Sequence, residues 1–143
     1  MASESTLGRT DIGASGMLAG VVPLLGRILM SILFFVSGVG KISAPDATIG
    51  FIASVGLPLP QLGLVIAVFV EIVCSVALVL GYRTRLVAAI FAAYCLATAI
   101  FFHTHFADQN QFIHFFKNIS MMGGFIQIIA FGAGTISIGA KRR

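Results

Sequence analysis

Apolar positions in this chain gather into four runs, over residues 21–39, 62–80, 86–102 and about 112–138, with polar breaks between them. As helix, each is long enough to cross a hydrocarbon core about 30 Å thick. Residues 1–20 mix Gly, Ser and Ala with charges and read as a mobile tail that becomes helical near Gly16. This tail does not read as a cleaved signal peptide, because the apolar run after it is too long and contains Arg27. Between the first two runs, Gly40 and Lys41 end a helix, and Ser43 with Pro45 is an N-cap-plus-proline start signal. Ile49, Ile52 and Ala53 then share one face, which predicts a short helix lying in the interface. Gly56-Leu57-Pro58-Leu59-Pro60 breaks the chain before the second run. Gly81-Tyr82-Arg83-Thr84-Arg85 is a tight turn, the stretch from His103 to Gln111 is a polar loop, and residues 139–143 form a basic tail. The pattern predicts an all-α integral membrane four-helix bundle of up-down topology over residues 21–138, with the interfacial helix between spans 1 and 2.

The spans carry faces. Arg27, Ser31, Phe34 and Gly38 fall on one side of the first. The third has two rows of small residues, Ala88/Ala92 and Ala89/Ala93/Ala97, which let another helix come close. The fourth begins with His114, Lys117 and Asn118 and continues with Ser120, Gly124 and Gln127.

Composition removes other classes. Hydrophobic residues make up 58% of the chain and charged residues 10%, against about 25% charged in soluble domains. Such a chain could not cover a water-facing surface, and membrane lipid is its expected surround. The net charge of +4 forms no basic block, and no nucleic-acid motif is present. With four spans, Arg9, Arg83, Arg85, Lys141, Arg142 and Arg143 share one side, and Lys41 and Lys117, offset by Asp46 and Asp108, the other. The positive-inside rule makes the first side, with both termini, cytoplasmic. Cys74 and Cys95 lie in apolar runs, without C-x-x-C or metal-ligand spacing, and read as packing residues. A membrane thiol oxidase that passes electrons through cysteine pairs is thereby disfavoured.

Glu71 is the one charge inside the second run. A charge at mid-membrane opposes insertion by roughly 2.5–3.5 kcal/mol, so it should face protein and hold a partner. Ala67, Cys74 and Ser75 make its helix face small. By helical rise, Arg27 and Lys117 are the expected partners, one on each side in depth. Together Arg27, Lys41, Glu71, His103, Lys117 and Asn118 outline a candidate polar track from the outer rim to mid-membrane. Such a track suits a proton relay or the head group of a quinone, whose carbonyls need donors and whose reduction consumes protons. His103, His105, Asp108 and His114 are too loosely spaced for a tight metal site, and a bis-histidine haem at the rim is a remote alternative.

The succession Arg27, Gly38-Val39-Gly40-Lys41, Gly56-Leu57-Pro58, Glu71, Leu80-Gly81-Tyr82-Arg83-Thr84-Arg85, His103, Lys117-Asn118 and Gly123-Gly124 resembles the DoxX family, over about residues 24–138. The resemblance implies a small four-helix bacterial inner-membrane protein, in a family associated with quinol oxidase, thiosulfate:quinone oxidoreduction and redox-stress complexes. It implies no intrinsic cofactor, a quinone as ligand, and a partner redox protein or homo-oligomer. Cys74 and Ser75 stand where the family often has glycines, and Ser137-Ile138-Gly139 where it often has Ser-x-Asp. Three functions follow as expectations: a redox-associated membrane subunit, a structural or assembly protein without chemistry, and an oligomeric transporter of protons or a small solute. The sequence names no catalytic residue.

Overall fold

The computed structural model describes residues 4–142, with side chains over 15–140. Among the described residues every regular element is helical. In chain order these are α1 (Glu4–Ser43), α2 (Pro45–Ser54), α3 (Pro60–Val68), a π-helical turn (Phe69–Cys74), α4 (Ser75–Leu80), α5 (Thr84–Phe102), α6 (Gln109–Phe131) and a terminal 3-10 turn (Ile138–Arg142). Four stretches are long and apolar enough to span: Ser15–Ser43, Pro60–Leu80, Thr84–Phe102 and Gln109–Phe131. The second of these joins α3, the π turn and α4. The turn holding Arg83 and Arg85 thus marks a basic end of the bundle, and α2 with the loop from His103 to Asp108 marks a loop end.

Helix α1 begins at Glu4, well before the start near Gly16 that the tail's composition suggests. At the other extreme α6 stops at Phe131, short of 138, where Gly132-Ala133-Gly134 interrupts the helix. Asp108 caps the start of α6, its carboxylate accepting from Asn110 N at 2.8 Å and Gln111 N at 3.4 Å. The start of α2 differs from the capping expectation. Ser43 Oγ donates back to Val39 O at 3.0 Å, and Ala44 occupies the N-cap without a side-chain bond. Pro45 alone, with its fixed φ, starts the helix.

The inward faces follow the sequence pattern. Arg27, Ser31, Phe34 and Gly38 are all buried, as are Ala67, Cys74 and Ser75. Of the alanine rows, Ala88 is buried and Ala92 half-buried, while Ala89 and Ala93 are exposed. The core centres on three rings, with Phe91 at 4.7 Å from Phe34 and 4.8 Å from Phe125, each nearly or fully out of reach of solvent. Free Cys74 and Cys95 pack into the same cluster. Leu29, Val65, Phe69 and Phe131 point outward, as befits a chain whose solvent is hydrocarbon. Helix α2 bridges the loop end, with Ile52 buried against Gly63 and Phe51 stacked on Phe102 at 5.3 Å.

Candidate functional site

Glu71 lies within the π turn. A π turn carries one residue more than an α turn and leaves backbone groups displaced from their usual partners. Ser75 resolves one of them, its Oγ donating to Glu71 O at 2.6 Å. Gly38 brings α1 against the turn: a Cβ there would stand 2.7 Å from Ile72 Cγ1 and 3.0 Å from Glu71 Cβ. The backbones can approach only because that atom is missing. Lys41, one helical turn beyond Gly38, is thereby brought down onto the carboxylate.

Glu71 is 4% exposed and accepts three hydrogen bonds. Lys41 Nζ donates to Oε1 at 2.9 Å and Oε2 at 2.8 Å, and Tyr94 OH donates to Oε1 at 2.8 Å. A further bond from Lys41 Nζ to Ser37 Oγ, at 2.8 Å, completes the cluster. The pair is asymmetric, since the Lys41 side chain is 24% exposed and that of Glu71 5%. The lysine is therefore the more exposed partner of the pair. A buried pair is held by mutual attraction against a desolvation cost of several kcal/mol per ion, and it survives only with good geometry and extra hydrogen bonds. Here Ser37 and Tyr94 supply those bonds.

The other track residues lie elsewhere. His103 Nδ1 pairs with Gln111 Oε1 at 2.9 Å and its ring stacks on His114 at 5.1 Å. This rim pair stands nine residues along α5 from Tyr94, or ~13 Å of helical rise. Asn118 is buried but spends its amide on its own helix, donating to His114 O at 2.9 Å. Lys117 and His105 are exposed. Arg27 works at the basic end, where Nη1 donates to Leu78 O at 3.0 Å and Val79 O at 2.8 Å and Nη2 donates to Ile136 O. It thus adds a charged donor to the carbonyls at the end of α4, of which Leu78 O also accepts from Gly81 N at 3.1 Å. The expectation that Arg27 or Lys117 pairs with Glu71 is therefore corrected. The partner is Lys41, because α1 meets the second span at Gly38, close to its own end. Among the described residues, no three His, Cys, Asp or Glu side chains gather as a metal would need.

The family model described as DoxX matches residues 22–104, well over half of the chain and inclusive of Lys41, Glu71 and Tyr94. The chain belongs to the DoxX family. It is 35% identical to inner membrane protein YphA of Escherichia coli (strain K12), over 94% of this chain and 97% of that protein. To inner membrane protein YqjF of the same organism it is 37% identical over 80% of the chain and 87% of the relative. A shorter match, 39% identical over 48% of this chain and 50% of the other, reaches "Putative oxidoreductase CatD" of Bacillus subtilis (strain 168). No solved structure matches.

In this DoxX protein the two departures from the expected motif have structural employment. Ser75 supplies the hydroxyl that serves the π turn, and at Gly139, whose N–H donates to Gly81 O at 3.2 Å, a Cβ would stand only 3.0 Å from that oxygen. Tyr94 escaped the sequence reading. Its signal was there to find: it is the one tyrosine within an apolar run, and a phenol so placed needs a polar partner.

Proposed function

We propose that this DoxX protein is the membrane subunit of a redox-associated complex and that its Lys41–Glu71–Tyr94 cluster holds the head group of a quinone. The cluster itself carries the reading. Two donors of different kinds, an ammonium and a phenol, converge on one buried carboxylate, and quinone carbonyls are acceptors that such donors fit. When bound, the quinone supplies the electron-carrying chemistry. Tyr94 OH would donate to a carbonyl of the bound quinone and so orient it. Lys41, the half-exposed member, carries protons between the loop end and Glu71. Glu71 holds the lysine at the site through both carboxylate oxygens and stands as the inner member of the relay. In this reading the electrons come from a partner protein. A relative named as an oxidoreductase adds support at the level of the family.

Purification from native-host membranes in mild detergent tests this. We expect quinone close to one equivalent together with a redox-active partner. Quinone-free protein accompanied only by partners without redox function would instead favour a structural or assembly role.

The same reading places the chain in a bacterial inner membrane with the basic end cytoplasmic, following the positive charges. A cysteine introduced at Asp108 should react with an impermeant thiol reagent added from outside, and one at Tyr82 should not. Both positions are exposed and the native Cys74 and Cys95 are buried, so labelling reports the new thiol. Labelling at Tyr82 alone would invert the topology.

A further inference from the structure

At the basic end, between α1 and α6, the bundle opens into a cavity of about 1200 Å³. The segment after α6 passes beneath it, held by Thr135 N donating to Ala19 O at 2.9 Å and Gly139 N to Gly81 O at 3.2 Å. Gly81 sits at φ 73°, and a Cβ there would meet Ser137 and stand 2.7 Å from Arg27 Nη1. A glycine turn is what lets the arginine reach the carbonyls at this end.

Three arginines line the cavity, Arg27, Arg83 and Arg85, and no aspartate or glutamate does. Among the described side chains the carboxylates lie elsewhere: Asp46 on α2, Asp108 at the start of α6, and Glu71 on Lys41. Arg27, 1% exposed, is met by carbonyl dipoles, and its Nε has no hydrogen-bond partner. Thr84, 6% exposed and also in the lining, has a buried Oγ1 equally without one. Val22, Met30, Leu86, Ile128 and Phe131 supply apolar wall. A concentration of positive charge without acids, beside orphaned polar atoms and an oily wall, calls for an anion with an apolar tail.

We infer that this cavity binds a phosphate-bearing anion, Arg83 and Arg85 gripping the phosphate at the mouth, and that the phosphate is the head group of an anionic membrane lipid whose acyl chain follows the apolar wall between α1 and α6. Guanidinium forks match phosphate oxygens in pairs. Basic pockets between spans at the cytoplasmic surface are suited to such head groups. The inference is independent of the quinone reading, since it concerns the opposite end of the bundle.

The test uses the full-length protein, delipidated in neutral detergent, with thermal stability followed as ligand is added. Phosphatidylglycerol should raise the midpoint in a saturable way, and phosphatidylcholine, of equal chain length, should not. The variant R83Q/R85Q, at two exposed positions, loses the bond from Arg85 Nη2 to Ala130 O at 3.4 Å and is compared with its own unliganded midpoint; its affinity for phosphatidylglycerol should fall by roughly 25-fold, about fivefold for each arginine. Saturable stabilisation by inorganic phosphate alone, lost in the same variant, would keep the anion site but overturn its assignment to lipid. Equal response to both lipids, or full affinity in R83Q/R85Q, would overturn the inference.

Discussion

Lys41→Met should destabilise the protein by about 3–5 kcal/mol, the usual cost of breaking a buried ion pair from one side. Glu71 would be left 4% exposed, with Tyr94 OH as its remaining side-chain donor. The double variant Lys41→Met/Glu71→Gln should recover most of the stability, because neither charge is then stranded and the amide can still accept from Tyr94. Unfolding in mixed detergent micelles, run as a double-mutant cycle, measures the coupling. The same cycle between Arg27 and Glu71 should give a value near zero, since they serve opposite ends and share no partner. Strong Arg27–Glu71 coupling with none for Lys41 would contradict the Lys41–Glu71 pairing.

Arg27→Met is expected to cost about 3 kcal/mol or more, by a different route. Arg27 donates to three backbone carbonyls, on Leu78, Val79 and Ile136. Hydrogen bonds from charged donors contribute about 1.5–3 kcal/mol each, and buried acceptors left bare carry their own penalty. Lysine should rescue poorly, because a single ammonium cannot span α4 and the C-terminal segment as a guanidinium fork does. The segment around Ile136 should also loosen, which hydrogen exchange at Thr135 and Gly139 would report. An Arg27→Met protein as stable as the parent, with those amides still protected, would contradict this role.

The four spans could be read from the apolar runs because a membrane leaves helices few alternatives. Glu71 could be read as buried and partnered because a lone charge in hydrocarbon is costly. Its partner could not be read by counting depth along each helix. That count places Lys41 at the rim, where α1 ends, and assumes that all spans start level. Gly38 breaks the assumption. By packing against Glu71 and Ile72 it sets the end of α1 low in the bundle, and α2 then folds across the loop end. Arg27 and Lys117 looked well placed only on level helices. The π turn left no periodic trace, since one inserted residue is invisible in a run where nearly every residue is apolar. Ser75, four residues after Glu71, was the trace it did leave.

The central claim is that the Lys41–Glu71–Tyr94 cluster is a ligand site and not only a brace between helices. Tyr94→Phe separates the two, because it removes one donor and leaves the ion pair in place. Its stability cost should be about 1 kcal/mol, within the range of a single hydrogen bond. The decisive measurement is equilibrium binding of a short-chain quinone to the parent and to Tyr94→Phe in lipid nanodiscs. The account predicts saturable binding by the parent and affinity about tenfold weaker in the variant, a difference of ~1.4 kcal/mol. Equal affinity in a folded Tyr94→Phe protein, or no saturable binding by the parent, would contradict it.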